Sequence, residues 1–275
     1  MRESVVRLAN DLLPPALIRL TRRFRPSRYG FFGSYATFAE AAAAAGGPGY
    51  ADSAMVEALV RTQRQRLSTP VELAQEHRWL RLQLALSHAR QSGPDGELRV
   101  LDFGGAAGTH YFDLVRWRER SGWPDAQLSW HVCETPPMAV AAQAELGGEE
   151  LTFLDSLGSI EGNAYDLVYV SGSLQYVPDA ETTWAGLSAL PHSWIALDRT
   201  PFFGAAADRF AVQRAPVPGG SPATYPGRFL AVRPWLDRMA RTHDLVARWQ
   251  LPAVEQPYIR AIRGVTYGGM LLRRR

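Results

Sequence analysis

The residues best suited to chemistry lie in one short run, Val100-Leu101-Asp102-Phe103-Gly104-Gly105-Ala106-Ala107-Gly108. An apolar, strand-like stretch ends on an acid, glycines follow at Gly104, Gly105 and Gly108, and a helix is expected from about Thr109. Glycine suits such a turn because the backbone must bend sharply and approach a bulky ligand with no Cβ in the way. The first amides of the helix would then face an anionic group. A dinucleotide fingerprint would require glycine where Phe103 stands, so that reading is disfavoured.

Three further strand ends carry candidate ligand contacts. Glu134 directly follows Leu128-Ser129-Trp130-His131-Val132-Cys133, where a carboxylate can accept both hydroxyls of a ribose. Its distance from Asp102 exceeds the roughly 20 residues of dinucleotide folds, and the polar insert from Glu119 to Gln127 accounts for the excess. Asp155 and Ser156, after Leu151-Leu154, could accept from an adenine amino group or be ordinary turn residues. Ser171, Gly172 and Ser173 end a fourth run and lead into Leu174-Gln175-Tyr176-Val177-Pro178-Asp179. Small residues at that place leave room for two ligands to meet, in the crevice where open α/β sheets bind.

The elements that must position these residues follow from the hydrophobic pattern. After Gly93-Pro94-Asp95-Gly96 short apolar runs alternate with amphipathic segments, the signature of βα units and a parallel sheet. Strands are expected at 98–103, 128–133, 151–154, 167–170 and 194–197, with helices at about 109–120, 137–146 and 179–190. An irregular insertion rich in Pro and Gly spans 201–227, with a candidate strand at 209–214. A helix near 234–242 and strands at 245–251 and 265–272 close the chain.

Before residue 96 the reading is a helical cap or lid over 29–95. Helices are expected from Phe38 to Ala45, from Asp52 or Ser53 to Arg66, and onward from Pro70. The aromatic stretch Tyr29, Phe31, Phe32 and Tyr35 either packs or covers a ligand. Residues 1–28 form a basic amphipathic segment that packs on its own domain or on a second subunit; peripheral membrane contact is the competing reading.

Composition excludes several classes. All 30 basic residues are Arg, so a Schiff-base lysine, a pyridoxal-phosphate site and a Walker-type loop are ruled out. The net charge of +3 is small and gives no reason to expect nucleic acid. A single cysteine, Cys133, precludes an intrachain disulfide or a cysteine-rich zinc site. His77, His88, His131, His192 and His243 lack metal-ligand spacing, so no metal is expected. No signal-peptide core or membrane span is evident, and a cytoplasmic location is expected.

An acid, a spacer and a glycine-rich run, then an acid after the second strand and Leu-x-Tyr-Val-Pro-Asp after the fourth, resemble the class I methyltransferases that use S-adenosylmethionine (SAM). From Tyr29 onward the chain also resembles a narrower family of bacterial methyltransferases encoded near polysaccharide and natural-product genes. That resemblance rests on Tyr29-Gly30-Phe31-Phe32-Gly33-Ser34-Tyr35, Asp102-Phe103-Gly104-Gly105, Ser173-Leu174-Gln175-Tyr176, Asp198-Arg199-Thr200-Pro201-Phe202, Ala223-Thr224-Tyr225-Pro226 and Tyr267-Gly268-Gly269-Met270-Leu271. Glu134-Thr135-Pro136 departs from the family's usual Glu-Gln-Pro but keeps the carboxylate. The resemblance implies a Rossmann-like seven-stranded sheet in 96–275 with helices on both faces and an N-terminal helical extension. It also implies SAM as cofactor and S-adenosylhomocysteine (SAH) as product.

The cofactor contacts expected on this reading are Asp102, Gly104, Gly105, Gly108, Glu134, Asp155, Ser156, Ser171, Gly172 and Ser173. Candidate bases for an acceptor that must lose a proton are His110, Tyr176 and Asp198. Tyr29, Tyr35, Gln175, Arg199 and Tyr225 are candidate substrate contacts, with Tyr267 a weaker one; Asp198 and Arg199 could equally form a structural ion pair. The leading expectation is methyl transfer to an O or N atom of a small molecule, sugar-derived or a specialised metabolite. The competing ones are a non-catalytic subunit with this fold, and a SAM-binding enzyme that cyclises or rearranges its substrate.

Overall fold

The computed structural model describes residues 29–47, 49–68, 76–92, 97–121, 127–160, 162–217, 222–253, 255–260 and 262–275. The segment 1–28 and the helix start expected at Pro70 lie outside them.

The central sheet is built from β2 (Glu97–Phe103), β3 (Gln127–Cys133), β4 (Leu151–Leu154), β5 (Tyr165–Ser171), β6 (His192–Phe203), β9 (His243–Gln250) and β10 (Val265–Arg274). They lie in the order β4-β3-β2-β5-β6-β10-β9, parallel except for β10, which is antiparallel to both neighbours. This is the Rossmann-like seven-stranded sheet, with one antiparallel strand, expected from the sequence.

The sheet is covered on both faces because its strands are apolar at successive positions. Val100, Leu167, Tyr169, Trp194 and Ala196 face one core, and Leu101, Val168, Val170, Ile195 and Leu197 face the other. The first core is closed by α2 (Ser53–Leu67), α3 (Glu76–Ser92), α4 (Thr109–Ser121) and α5 (Pro136–Leu146). The second is closed by α6 (Ala180–Ala189) and α7 (Val232–Met239). Leu82, Ala85, Leu86 and Ala89 of α3 are buried in the main core, so this part of the expected helical cap is a structural layer of the sheet.

The expectation of an irregular 201–227 is corrected. Strand β6 continues past Asp198 to Phe203, and β7 (Arg209–Ala215) and β8 (Ala223–Ala231) are regular strands. With β1 (Gly30–Tyr35) they form an extension in the order β1-β7-β8-β6, antiparallel except where β8 joins β6 in parallel, giving a ten-stranded sheet in all. Pro226 and Gly227 read as breakers but fit here. Pro226 pairs only with β7, so its missing N–H breaks no second ladder. A Cβ on Gly227 would drive into the Phe31 ring. Strand β10 occupies one edge of β6 throughout, so β8 pairs Phe202 and Phe203 on the edge that β5 uses earlier. The extension therefore stands beyond the carboxyl end of β5. Helix α1 (Phe38–Ala45) packs on it through Phe38 and Phe210, and Thr224 Oγ1 donates to Ala45 O at 2.9 Å.

No helix among the described residues is long and apolar enough to cross a membrane.

Candidate functional site

Strand register brings the chemistry to one end of the sheet: Asp102 lies beside Val132 and Tyr169, and Ser171 beside Asp198. Asp102 is fully buried, and its carboxylate oxygens lie 2.9 and 3.1 Å from His110 Nδ1 on the first turn of α4. A buried carboxylate on Nδ1 fixes the imidazole's orientation and leaves Nε2 as its free nitrogen. The Gly loop passes between these groups and the turn after β5. A Cβ on Gly105 would enter the Asp102 carboxylate, and one on Gly104 would enter Ser173. Ser173 Oγ donates to Phe103 O at 2.6 Å and so braces the two turns together. Ala106 holds φ of 53°, the left-handed conformation that glycine adopts freely. An alanine there bears about 1–2 kcal/mol of strain.

Glu134 lies beside that loop and is buried. Its Oε1 accepts from the Ala106 amide at 3.0 Å and from the Tyr50 hydroxyl at 3.1 Å, while Oε2 accepts from the Thr135 amide at 2.8 Å. Burial raises its pKa above the usual carboxylate value, against the lowering effect of those hydrogen bonds. Thr135 Oγ1 is buried without a hydrogen-bond partner, although it stands at the cap of α5. Asp155 and Ser156 sit at the end of β4 as expected, but both are exposed and bond their own turn through Ser159.

Asp198, expected either as a candidate base or in a structural ion pair with Arg199, is ion-paired with Arg81. It is buried and accepts from Arg81 Nε at 3.0 Å, Trp249 Nε1 at 2.8 Å and Tyr169 OH at 3.4 Å. Arg81 also grips Glu255, at 2.7 Å from Nη2. A carboxylate so neutralised is a brace between α3, β6 and β9, not a free base. Arg199 follows with φ of 51°, an unusual conformation for a non-glycine residue. Its backbone oxygen accepts from Gln175 Nε2 at 3.4 Å, and its guanidinium lies 3.9 Å from Glu255.

The β1-β7-β8 extension supplies an aromatic wall beside this end of β5. Tyr176 is partly buried, donates to Gln213 Oε1 on β7, and meets Tyr225 of β8 edge-to-face at 5.2 Å. Tyr225 in turn meets Tyr50 at 6.4 Å. Burial pushes the Tyr176 phenol up to about 12, and raises Tyr225, Tyr50 and Tyr267 as well. These shifts disfavour the phenolate that a tyrosine base would need. Tyr267 OH is buried with no hydrogen-bond partner.

Of the expected site residues, Asp102, Gly104, Gly105, Gly108, His110, Glu134, Ser171, Gly172 and Ser173 lie at the carboxyl end of β2, β3 and β5 or on the adjoining first turn of α4. Gln175, Tyr176, Arg199 and Tyr225 line the neighbouring wall. Tyr29 and Tyr35 flank β1, and Tyr35 folds onto Gly33; the aromatic of that stretch that reaches the wall is Phe31, against Gly227, Phe229 and Tyr267. Sequence reasoning did not single out Tyr50, Arg81, Gln213, Trp249 or Glu255. The one local signal was an aromatic directly after Gly46-Gly47-Pro48-Gly49. Among the described residues no group of three or more His, Cys, Asp or Glu side chains could hold a metal ion.

No protein-family model and no curated protein matches the chain. Solved structures resemble it in outline at low identity. The [4+2]-cyclase SpnF superposes with a TM-score of 0.46 at 13% identity, over 70% of this chain and 80% of that one. LepI, solved in complex with SAM, gives 0.42 at 16% identity over 69% and 46%. The pyocyanin biosynthetic protein PhzM gives 0.42 at 13% over 70% and 55%. The chain spans just under half the length of LepI and of a second structure described as a pericyclic reaction enzyme, at 46% and 47%.

Proposed function

We propose that the Asp102–Gly108 loop and Glu134 bind SAM, and that the protein transfers its methyl group to an O or N atom of a small molecule. The observation that carries this reading is Glu134: a buried carboxylate whose hydrogen-bond partners among the described residues are neutral donors, beside a glycine loop at a helix N-terminus. An ionised group in that position is costly unless something completes its hydrogen bonding, and a ribose diol does so.

The residues fit the cofactor. Gly104 and Gly105 keep the loop free of side chains, Glu134 Oε2 retains an unused acceptor position, and the unpartnered Thr135 hydroxyl lies next to it in the chain. The first-turn amides of α4 would receive the methionine carboxylate. When bound, SAM supplies a methyl group already activated on a sulfonium.

The chain's own work is then mostly alignment, and holding two reactants in line is worth about 7–11 kcal/mol. Asp198 is neutralised, and the wall phenols donate hydrogen bonds rather than take protons. His110 is the remaining candidate base, because Asp102 holds it in the tautomer whose Nε2 can accept a proton.

A second reading is that SAM is bound while the substrate is cyclised or rearranged. What favours it is the wall itself: the partly buried Tyr176 and Tyr225, backed by Phe31 and Tyr267, offer aromatic surface and protonated hydroxyls, with no ionised base among them. A non-catalytic subunit is disfavoured because a blocked loop is its expected mark, and Gly104, Gly105 and Glu134 are intact.

Calorimetric titration with SAM and SAH, followed by mass spectrometry of incubations with candidate acceptors, separates these readings. Gain of one methyl group supports transfer, and a rearranged product of unchanged mass supports the second reading. Absence of heat with either nucleoside, for folded protein, contradicts the cofactor assignment.

A further inference from the structure

In the arrangement described above Glu134 has an open acceptor position for one ribose hydroxyl, on Oε2, and none for the second on Oε1. Each carboxylate oxygen has two acceptor positions. Oε1 uses both, on the Ala106 amide and the Tyr50 hydroxyl, whereas Oε2 uses one, on the Thr135 amide. A diol bridging the two oxygens needs one position on each, so one donor to Oε1 has to leave.

The Ala106 amide is backbone of the Gly loop itself, held beside Asp102 and Ser173. Tyr50 is a side chain from the turn between α1 and α2, reaching a residue 84 positions away. It is the donor free to rotate.

We propose that Tyr50 is a placeholder for a ribose hydroxyl: it yields Oε1 when the nucleoside binds, and its departure alters the acceptor wall. This rests on the reading of Glu134 as the ribose carboxylate. The coupling is carried by contact. The Tyr50 ring meets Tyr225 at an interplanar angle of 80°, Tyr225 meets Tyr176 at 87°, and Tyr176 is tied to Gln213. A ring that leaves the first contact removes the support on one side of Tyr225. The nucleoside therefore sets the shape that the second ligand meets. Burial and the Glu134 charge keep the Tyr50 phenol protonated, so it competes as a donor throughout the physiological range.

The test is calorimetric titration of SAH into the wild type and Tyr50→Phe, which keeps the ring on Tyr225 and removes only the hydroxyl. Loss of one competing bond to a charged group predicts about tenfold tighter SAH binding. The gain should be present for adenosine and absent for 2′,3′-dideoxyadenosine, which has no diol to use the vacated position. Tyr225→Leu should also tighten SAH binding, and the two changes together should give less than their sum, because both loosen one latch. Equal affinity of wild type and Tyr50→Phe, or weaker binding by the variant, overturns the placeholder. Failure of SAH to bind either folded protein instead overturns the cofactor reading on which it rests.

Discussion

Glu134 and Asp198 are both buried carboxylates at the carboxyl end of the same sheet, yet their surroundings differ in one respect. Asp198 has a cation, Arg81, at 3.0 Å and an indole N–H at 2.8 Å, so its charge is matched within the fold. Among the described residues Glu134 is bonded by two backbone amides and a phenol, with no cation. Burying a charge costs several kcal/mol unless it is paired, and a fold that leaves one unpaired beside a glycine loop keeps it for something that binds. Matched charge marks a brace, and unmatched charge marks a site.

The largest effect should come from breaking the brace. Arg81→Met leaves Asp198 buried without its counter-charge and should lower stability by about 3–5 kcal/mol, read from the urea unfolding midpoint. A comparable loss in Glu134→Gln would erase the distinction. That variant is expected instead to keep its midpoint within about 1 kcal/mol and to lose SAH affinity by about a hundredfold, since each charge-assisted hydrogen bond contributes about 1.5–3 kcal/mol.

A third buried set, kept neutral instead of matched, sharpens the comparison through pH. His192 and His243 lie with Nε2 atoms 2.8 Å apart, and burial lowers both to about 4. Because the unfolded imidazoles titrate near 6.5, the unfolded state takes up protons first. The pair's contribution is complete above that value and falls as pH drops toward 4. His243→Gln should flatten this part of the stability–pH curve, and an unchanged slope would show that the pair is not its source. The smallest effect is expected at Ala106, where glycine relieves the left-handed backbone and should stabilise by about 0.5–1 kcal/mol in a thermal melt.

The parts of the fold that were legible in sequence are those whose pattern is local. Strands β2 to β5 and the helices between them follow from apolar runs and turn residues, and Asp102, the Gly loop and Glu134 follow from their place at strand ends. The extension was not legible, because Pro226 and Gly227 read as breakers until β7 and the Phe31 ring are beside them. Asp198 was read as a candidate base because the groups that neutralise it, Arg81 and Trp249, lie 117 and 51 positions away. Tyr50 escaped notice for the same reason. Strand-end chemistry is written locally, whereas whether a carboxylate is spent or available is decided by long-range partners.

The central claim is that Glu134 is a ribose carboxylate serving a cofactor on the Asp102–Gly108 loop. A crystal structure of the protein grown with SAH tests it most directly. The account predicts both ribose hydroxyls on the Glu134 carboxylate and the amino-acid end of SAH against the first turn of α4. A ribose held elsewhere, with Glu134 untouched, would contradict it.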